Sequence, residues 1–190
     1  MTGRQVAPPE PAPTVLALDE IEEGVTETAF EIGADDLGLT DKFFSFPGPL
    51  RIALRIGRGL QTFNIGGTVS LTVTGECCRC LSPVEQPLEA QLQLLLQRRE
   101  ASEDELEAYA DEDGVEIVDP GAREYDLSER LAEAVALELP MRVYCRDDCK
   151  GLCPTCGTDL NNSTCDCDSA TVDPRWEALA RLKGPEKPEQ

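Results

Sequence analysis

Six of the nine cysteines fall between Cys145 and Cys167, in the run CRDDCKGLCPTCGTDLNNSTCDC, and the chain contains no histidine. That run is rich in Gly, Pro, Asn and Asp, so it has few apolar side chains to bury and cannot order itself around a core. It needs cross-links. The N-terminal stretch MTGRQVAPPEPAPTVLALDE lacks the apolar block of a signal peptide and reads as a disordered leader over residues 1–14. Without export the thiols are expected in a reducing, cytoplasmic setting, where bound metal is favoured over disulfides. An all-sulfur tetrahedral site points to Zn²⁺.

The spacing gives candidate ligands. Cys153-Pro154-Thr155-Cys156-Gly157 is a knuckle: two sulfurs two residues apart wrap a metal, and the glycine lets backbone N–H groups turn towards them. Its complement is Cys165 with Cys167. Cys77, Cys80, Cys145 and Cys149 then form a second four-sulfur set, clipping the upstream sheet to the start of the knuckle. The alternative is one structural ion in the C-terminal segment, with the remaining cysteines buried or idle. Cys78 is a free thiol in either case. Arg79, Arg142, Arg146 and Lys150 lie beside these cysteines, either to offset the charge of a four-thiolate site or to form a small phosphate-contact patch.

Upstream, residues 15–139 read as a β-rich body. Strands are expected over Thr26–Ile32, Leu50–Ile56, Thr68–Cys77 and Val84–Leu96, with a short one at Val115–Val118. Alternation places Ile52, Leu54 and Ile56 on one face and Arg51 and Arg55 on the other. Val69, Leu71 and Val73 share a face with Cys77, and Val84, Leu88, Leu92, Leu94 and Leu96 share another. Antiparallel pairing fits strands with one apolar and one wet face. Phe43, Phe44 and Phe46 supply an apolar anchor before the Pro47-Gly48-Pro49 turn. Asp126 is positioned to cap a helix over 126–139, with Glu129 completing a capping box and Leu127, Leu131, Val135 and Leu139 along one side. A second helix over 173–183 carries Trp176 as a core anchor, inside a zinc-knuckle module spanning 140–184 with a tail at 185–190. The expected class is therefore α+β: an antiparallel sheet or partly closed barrel with flanking helices and a C-terminal zinc module.

The formal net charge is −20, so the overall field repels RNA and DNA, and any contact with them needs a local cationic patch. Nine of the seventeen residues from Glu100 to Glu116 are acidic, which reads as a solvated loop over 100–114. No stretch is long and apolar enough to span a membrane. The absence of histidine removes Cys-His and Ser-His-Asp nucleophilic sites. A four-sulfur zinc site leaves no open position for water, so its role is structural and no small-molecule substrate is implied.

Three segments resemble the YceD-like family of large-subunit ribosomal RNA accumulation proteins. GECCRCL is similar to the family's CxRCL segment at Cys77, Arg79, Cys80 and Leu81. ALELPMRVYCRDDCKGLCPTCGTDLN is similar to its lead-in and cysteine core, and Cys165-x-Cys167 followed by DPRWEALARL to its closing helix. The likeness covers roughly residues 20–183. It implies a non-enzymatic accessory factor in ribosome assembly, partnered by large-subunit ribosomal RNA, a pre-ribosomal particle or an assembly protein. Two readings remain open. An RNA-contacting factor would present Arg51 and Arg55, or Arg79 with Arg142, Arg146 and Lys150, as a free cationic surface. A protein adaptor would spend those cations internally and expose an apolar groove or its acidic segment instead.

Overall fold

A computed structural model describes residues 12–102, 105 and 114–167. Seven strands and one α-helix follow in order: β1 (Val15–Ala17), β2 (Gly24–Ile32), β3 (Leu50–Arg58), β4 (Thr62–Glu76), β5 (Pro83–Arg98), β6 (Val115–Val118), β7 (Glu124–Asp126) and α1 (Ser128–Glu138). Strands β2 to β6 form one sheet in sequence order, and β1 pairs separately with β7.

The alternation in the sequence becomes a one-sided core. Leu50, Ile52, Leu54 and Ile56 of β3 are buried, as are Phe63, Ile65, Val69 and Val73 of β4 and Leu88, Leu92, Leu94 and Leu96 of β5. Leu127, Leu131 and Val135 of the helix region close over them, with Leu16 and Leu18 from the β1 region. The opposite face carries Arg51, Arg55, Thr68 and Gln91 and stays wet.

The sheet is mixed, and it does not close into a barrel. β2 to β5 are antiparallel, but β6 runs parallel to β5, pairing Leu95 with Val115 and Arg98 with Val118. The connection permits this. A tight hairpin cannot join parallel neighbours, and the segment between Arg98 and Val115 is long enough for β6 to start beside β5 in the same direction, although the similarly long stretch from Gly33 to Pro49 joins an antiparallel pair. β2 and β6 therefore remain the two edges.

Local differences have similar causes. Asp126 belongs to β7, opposite Val15, and helix α1 begins at Ser128 with Leu127 as its cap residue, one residue later than a cap at Asp126 implies, while Asp126 Oδ1 still accepts the Ser128 N–H at 2.9 Å. Thr14, at the end of the expected leader, is buried, and its carbonyl accepts the Leu127 N–H. Phe44 and Phe46 pack on the core, but Phe43 is 72% exposed and anchors nothing. The helix expected over 173–183, Trp176 within it, and most of the 100–114 acidic loop lie outside the described residues. Within the described residues no helix is long and apolar enough to cross a membrane.

The long β4–β5 hairpin carries the Cys77–Cys80 turn at its tip. β3 packs tightly on β4 at Gly67, opposite Leu54, where an added Cβ would meet Leu54 Cδ2 at 2.5 Å and the Ala53 carbonyl oxygen at 2.8 Å. The backbone oxygen cannot step aside. Gly67→Ala is expected to lower stability by about 1–3 kcal/mol in urea unfolding, through overpacking.

Candidate metal centres

Two sulfur clusters emerge. Cys77, Cys80, Cys145 and Cys149 form one and Cys153, Cys156, Cys165 and Cys167 the other, with all four sulfurs in each group within 4.8 Å of one another. In the first, Cys80 Sγ lies 3.6 Å from Cys145 Sγ, and Cys77 Sγ lies 3.9 Å from Cys149 Sγ. Sulfurs at a zinc bond length on a tetrahedron are about 3.8 Å apart. Each group can therefore hold a metal ion. Cys78 belongs to neither and is exposed.

The first half of each cluster is built the same way. The Leu81 N–H donates to the Cys77 carbonyl and the Cys77 N–H to that of Ser82; likewise Gly157 donates to Cys153 and Cys153 to Thr158. The residue after the second cysteine is left-handed in both turns, with φ 61° at Leu81 and 74° at Gly157. A hydroxyl follows in each: Ser82 Oγ sits 3.0 Å from Cys80 Sγ, and Thr158 Oγ1 sits 3.1 Å from Cys156 Sγ. Cys80-Leu81-Ser82 and Cys156-Gly157-Thr158 thus make one motif twice. Only the glycine of the second copy marks the turn in sequence, which is why the hydroxyls escape notice there.

These turns set the protonation of the sulfurs. Burial pushes the Cys77 thiol up, but the backbone N–H groups of Cys145, Arg79 and Cys80 outweigh it and bring Cys77 down to about 6. The Ser82 hydroxyl, then its N–H, lowers Cys80. The Thr158 hydroxyl and N–H bring Cys156 to about 6, and the N–H groups of Cys156 and Thr155 lower Cys153. The other members move the opposite way. Burial and then the Cys80 sulfur push Cys145 up to about 12, and the Cys156 sulfur pushes Cys167 up to about 12. Cys165 receives a lowering bond from the Cys167 N–H, yet the Cys153 sulfur and burial carry it above the ordinary thiol value. Each knuckle thus favours thiolates that hold its remaining partners protonated. A dication between the four sulfurs removes that conflict, so the donor set fits a thiophilic divalent metal.

Around the sulfurs a second layer ties the module to the sheet. Arg79 Nη1 donates to the Asp147 and Cys149 carbonyls at 2.9 Å each, and its guanidinium lies 4.7 Å from the Tyr144 ring centroid. Asn161 Nδ2 donates to Cys149 Sγ at 3.4 Å, while Asn161 Oδ1 accepts from Arg146 Nη2 and the Lys150 N–H at 2.8 Å. Sequence reasoning passed over Asn161 and Tyr144, because an asparagine in a polar loop carries no signal of its own. The Leu152 N–H donates to the Arg79 carbonyl, and Gly151, at φ 77°, brings the two backbones close.

The cations expected to face a ligand divide unevenly. Arg51 pairs with Glu31 at 2.9 Å and Arg55 with Glu27 at 3.9 Å across β2 and β3. Arg79 is held by the bonds above, and Arg146 binds Asn161 and Asp148, the latter at 3.3 Å. Arg142 and Lys150 are exposed, with no side-chain partner among the described residues. The six form no single surface patch of free charge.

Comparison with known proteins now places the chain. Residues 65–183 match the family model described as large ribosomal RNA subunit accumulation protein YceD. The chain belongs to the YceD family. The matched span contains all nine cysteines. An uncharacterized protein of Mycobacterium tuberculosis is 37% identical over 138 residues, covering 72% of this chain and 63% of that one. A Mycobacterium leprae protein is 29% identical over 153 residues, covering 80% and 68%. The Zea mays protein named large ribosomal RNA subunit accumulation protein YCED homolog 1, chloroplastic, is 29% identical over 179 residues, covering 80% and 60%. The chain thus spans a little under two thirds of the M. tuberculosis and maize relatives. No solved structure matches.

Two outcomes are expected. Titration of the reduced, metal-free chain with Zn²⁺ saturates at two equivalents and releases protons near neutral pH, because Cys145 and Cys167 stand at about 12 and must be deprotonated to bind. Affinity accordingly falls as pH drops and the thiols regain their protons; calorimetry in buffers of different ionisation enthalpy reads the release. Saturation at one equivalent would remove one centre. Cys156→Ser is expected to abolish hydrogen-exchange protection over residues 150–167 while β3 to β5 keep theirs. Equal loss through residues 68–96 would show that the sheet depends on the second centre too.

Proposed function

We propose that this chain is a non-enzymatic accessory factor in large-subunit ribosomal RNA accumulation, stapled by two structural zinc ions and acting through a protein partner on the assembling subunit. The family description supplies the ribosomal context. Zinc suits eight sulfurs arranged as two tetrahedral sets, and a four-sulfur site leaves no position for a reacting water. Nine reduced thiols suit a cytoplasmic setting.

The distribution of the cations carries the choice of protein over RNA. Of the six cations expected to meet RNA, Arg51, Arg55, Arg79 and Arg146 are spent in bonds within the chain, and only Arg142 and Lys150 have no side-chain partner among the described residues, against a net charge of −20. Within that expected patch, two cations neutralise too few phosphates to hold RNA at physiological salt. Arg146 is also a poor probe of RNA contact, since removing it disturbs Asn161 and through it Cys149.

The test uses the full zinc-loaded chain. Loss of the protein from cells is expected to lower large-subunit ribosomal RNA, and the double variant Arg142→Ala/Lys150→Ala to restore it as well as the unaltered chain does. Direct binding to that RNA is expected to be weak and to vanish with moderate salt. Tight binding at physiological salt, lost in the double variant together with rescue, would replace the adaptor by an RNA-contacting factor.

A further inference from the structure

Among the described residues, the face beside the first sulfur cluster has an apolar groove of about 1150 Å³, running between the Leu39–Phe46 segment and the stretch from Ala136 to Val143. Its walls include Phe43, Leu81 and Met141, which are 72%, 57% and 100% exposed, with half-buried Phe44 and Leu139 below. Apolar side chains gathered at one exposed place mark an interaction surface, and an exposed methionine adapts to whatever packs on it.

Leu81 sharpens this. It is the single non-glycine residue with positive φ among those described, at the position where the matching turn uses Gly157. Glycine would form the turn without strain. Leucine adds nothing to the ring of sulfurs, and its side chain stands in the groove wall.

The occupant is indicated by charge. Along α1 the groove adjoins a second depression of about 670 Å³, sharing Leu39, Thr40 and Ala136 with it. Glu116, Asp126, Glu129 and Glu133 line that depression against a single cation, Arg130, which pairs with Glu116 and with Glu133. Glu129 has no partner there. An apolar slot therefore leads into an acidic one on a chain of net charge −20. Two copies of this chain would repel each other at such a surface, and a phosphate backbone would be excluded from it.

We propose that this two-part groove docks a short basic segment of a protein partner, with bulky apolar side chains against Phe43, Leu81 and Met141 and Lys or Arg beside Glu129 and Glu133. The inference rests on the adaptor reading above and names its contact. The first sulfur cluster shapes the site. Cys77 and Cys78 line it, the Cys78 N–H donates to the Val143 carbonyl, and the wall from Pro140 to Val143 leads directly to Cys145. Metal binding by Cys77, Cys80, Cys145 and Cys149 thus holds the two apolar walls at their spacing.

The probe is a displayed library of random twelve-residue peptides selected on the full zinc-loaded chain, with the enriched peptide then synthesised and titrated. Enriched sequences are expected to combine aromatic or aliphatic residues with Lys or Arg. Met141→Asp and Leu81→Gly are each expected to weaken binding by about tenfold, the loss of one well-buried anchor. Both leave the fold intact, since Met141 is fully exposed and glycine suits the left-handed turn. Glu129→Lys is expected to weaken binding at low salt and much less at high salt. Acidic enriched peptides, or affinities indifferent to Met141→Asp and Leu81→Gly, would overturn the proposal. So would a tenfold gain in peptide affinity on Trp176→Ser, which would assign the groove to the chain's own C-terminal segment, or a dimer that Met141→Asp dissociates. In cells, full rescue of ribosomal RNA by Met141→Asp overturns the groove and leaves the adaptor reading standing. Unchanged ribosomal RNA on loss of the whole protein overturns the adaptor reading, whatever the peptides do.

Discussion

Eight sulfurs drawn into two sets of four, each within 4.8 Å, are the constraint on which the C-terminal part of this molecule depends. Thiolates at that distance repel, and the knuckle N–H groups and hydroxyls that favour charge on Cys77, Cys80, Cys153 and Cys156 raise the cost of charging their neighbours. A divalent ion bound there would turn the repulsion into four bonds. The polar run from Cys145 to Cys167 contributes only Cys149 and Cys153 to the buried side chains, so a bound ion would supply what a core does elsewhere.

The first cluster also works as a joint. Two of its sulfurs come from the tip of the β4–β5 hairpin and two from the segment after α1, so one bound ion would connect parts of the chain far apart in sequence. Arg79 reinforces the joint by holding the Asp147 and Cys149 carbonyls while stacking on Tyr144. An arginine spent in this way is not available to a phosphate. The same economy holds on the open face of the sheet, where Arg51 and Arg55 face Glu31 and Glu27. Exposed pairs of that kind stabilise little, but they cancel the local positive potential that RNA would seek.

Function follows from what remains unpaired. The described surface offers an apolar groove beside the joint and, along α1, an acidic depression in which Glu129 has no partner. Strain at Leu81 points to the same place, because it buys nothing for the metal turn that glycine would not give. The first sulfur cluster and the proposed contact surface therefore share one end of the sheet.

Cysteine spacing and period-two alternation alone determined the knuckles, the buried faces of β3 to β5 and the position of Cys77 at the hairpin end, since each is a local consequence of residue type and backbone geometry. Leu127, Leu131 and Val135 likewise announced the helix that covers the sheet. Tertiary structure decided the rest. The parallel pairing of β6 with β5 is a long-range choice of direction that no periodicity encodes. Phe43 looked like its buried neighbours because exposure depends on what packs opposite. The fates of Arg79, Arg146 and Asn161 were invisible in sequence, since each is fixed by carbonyls, carboxylates or a sulfur that only folding brings within hydrogen-bonding distance.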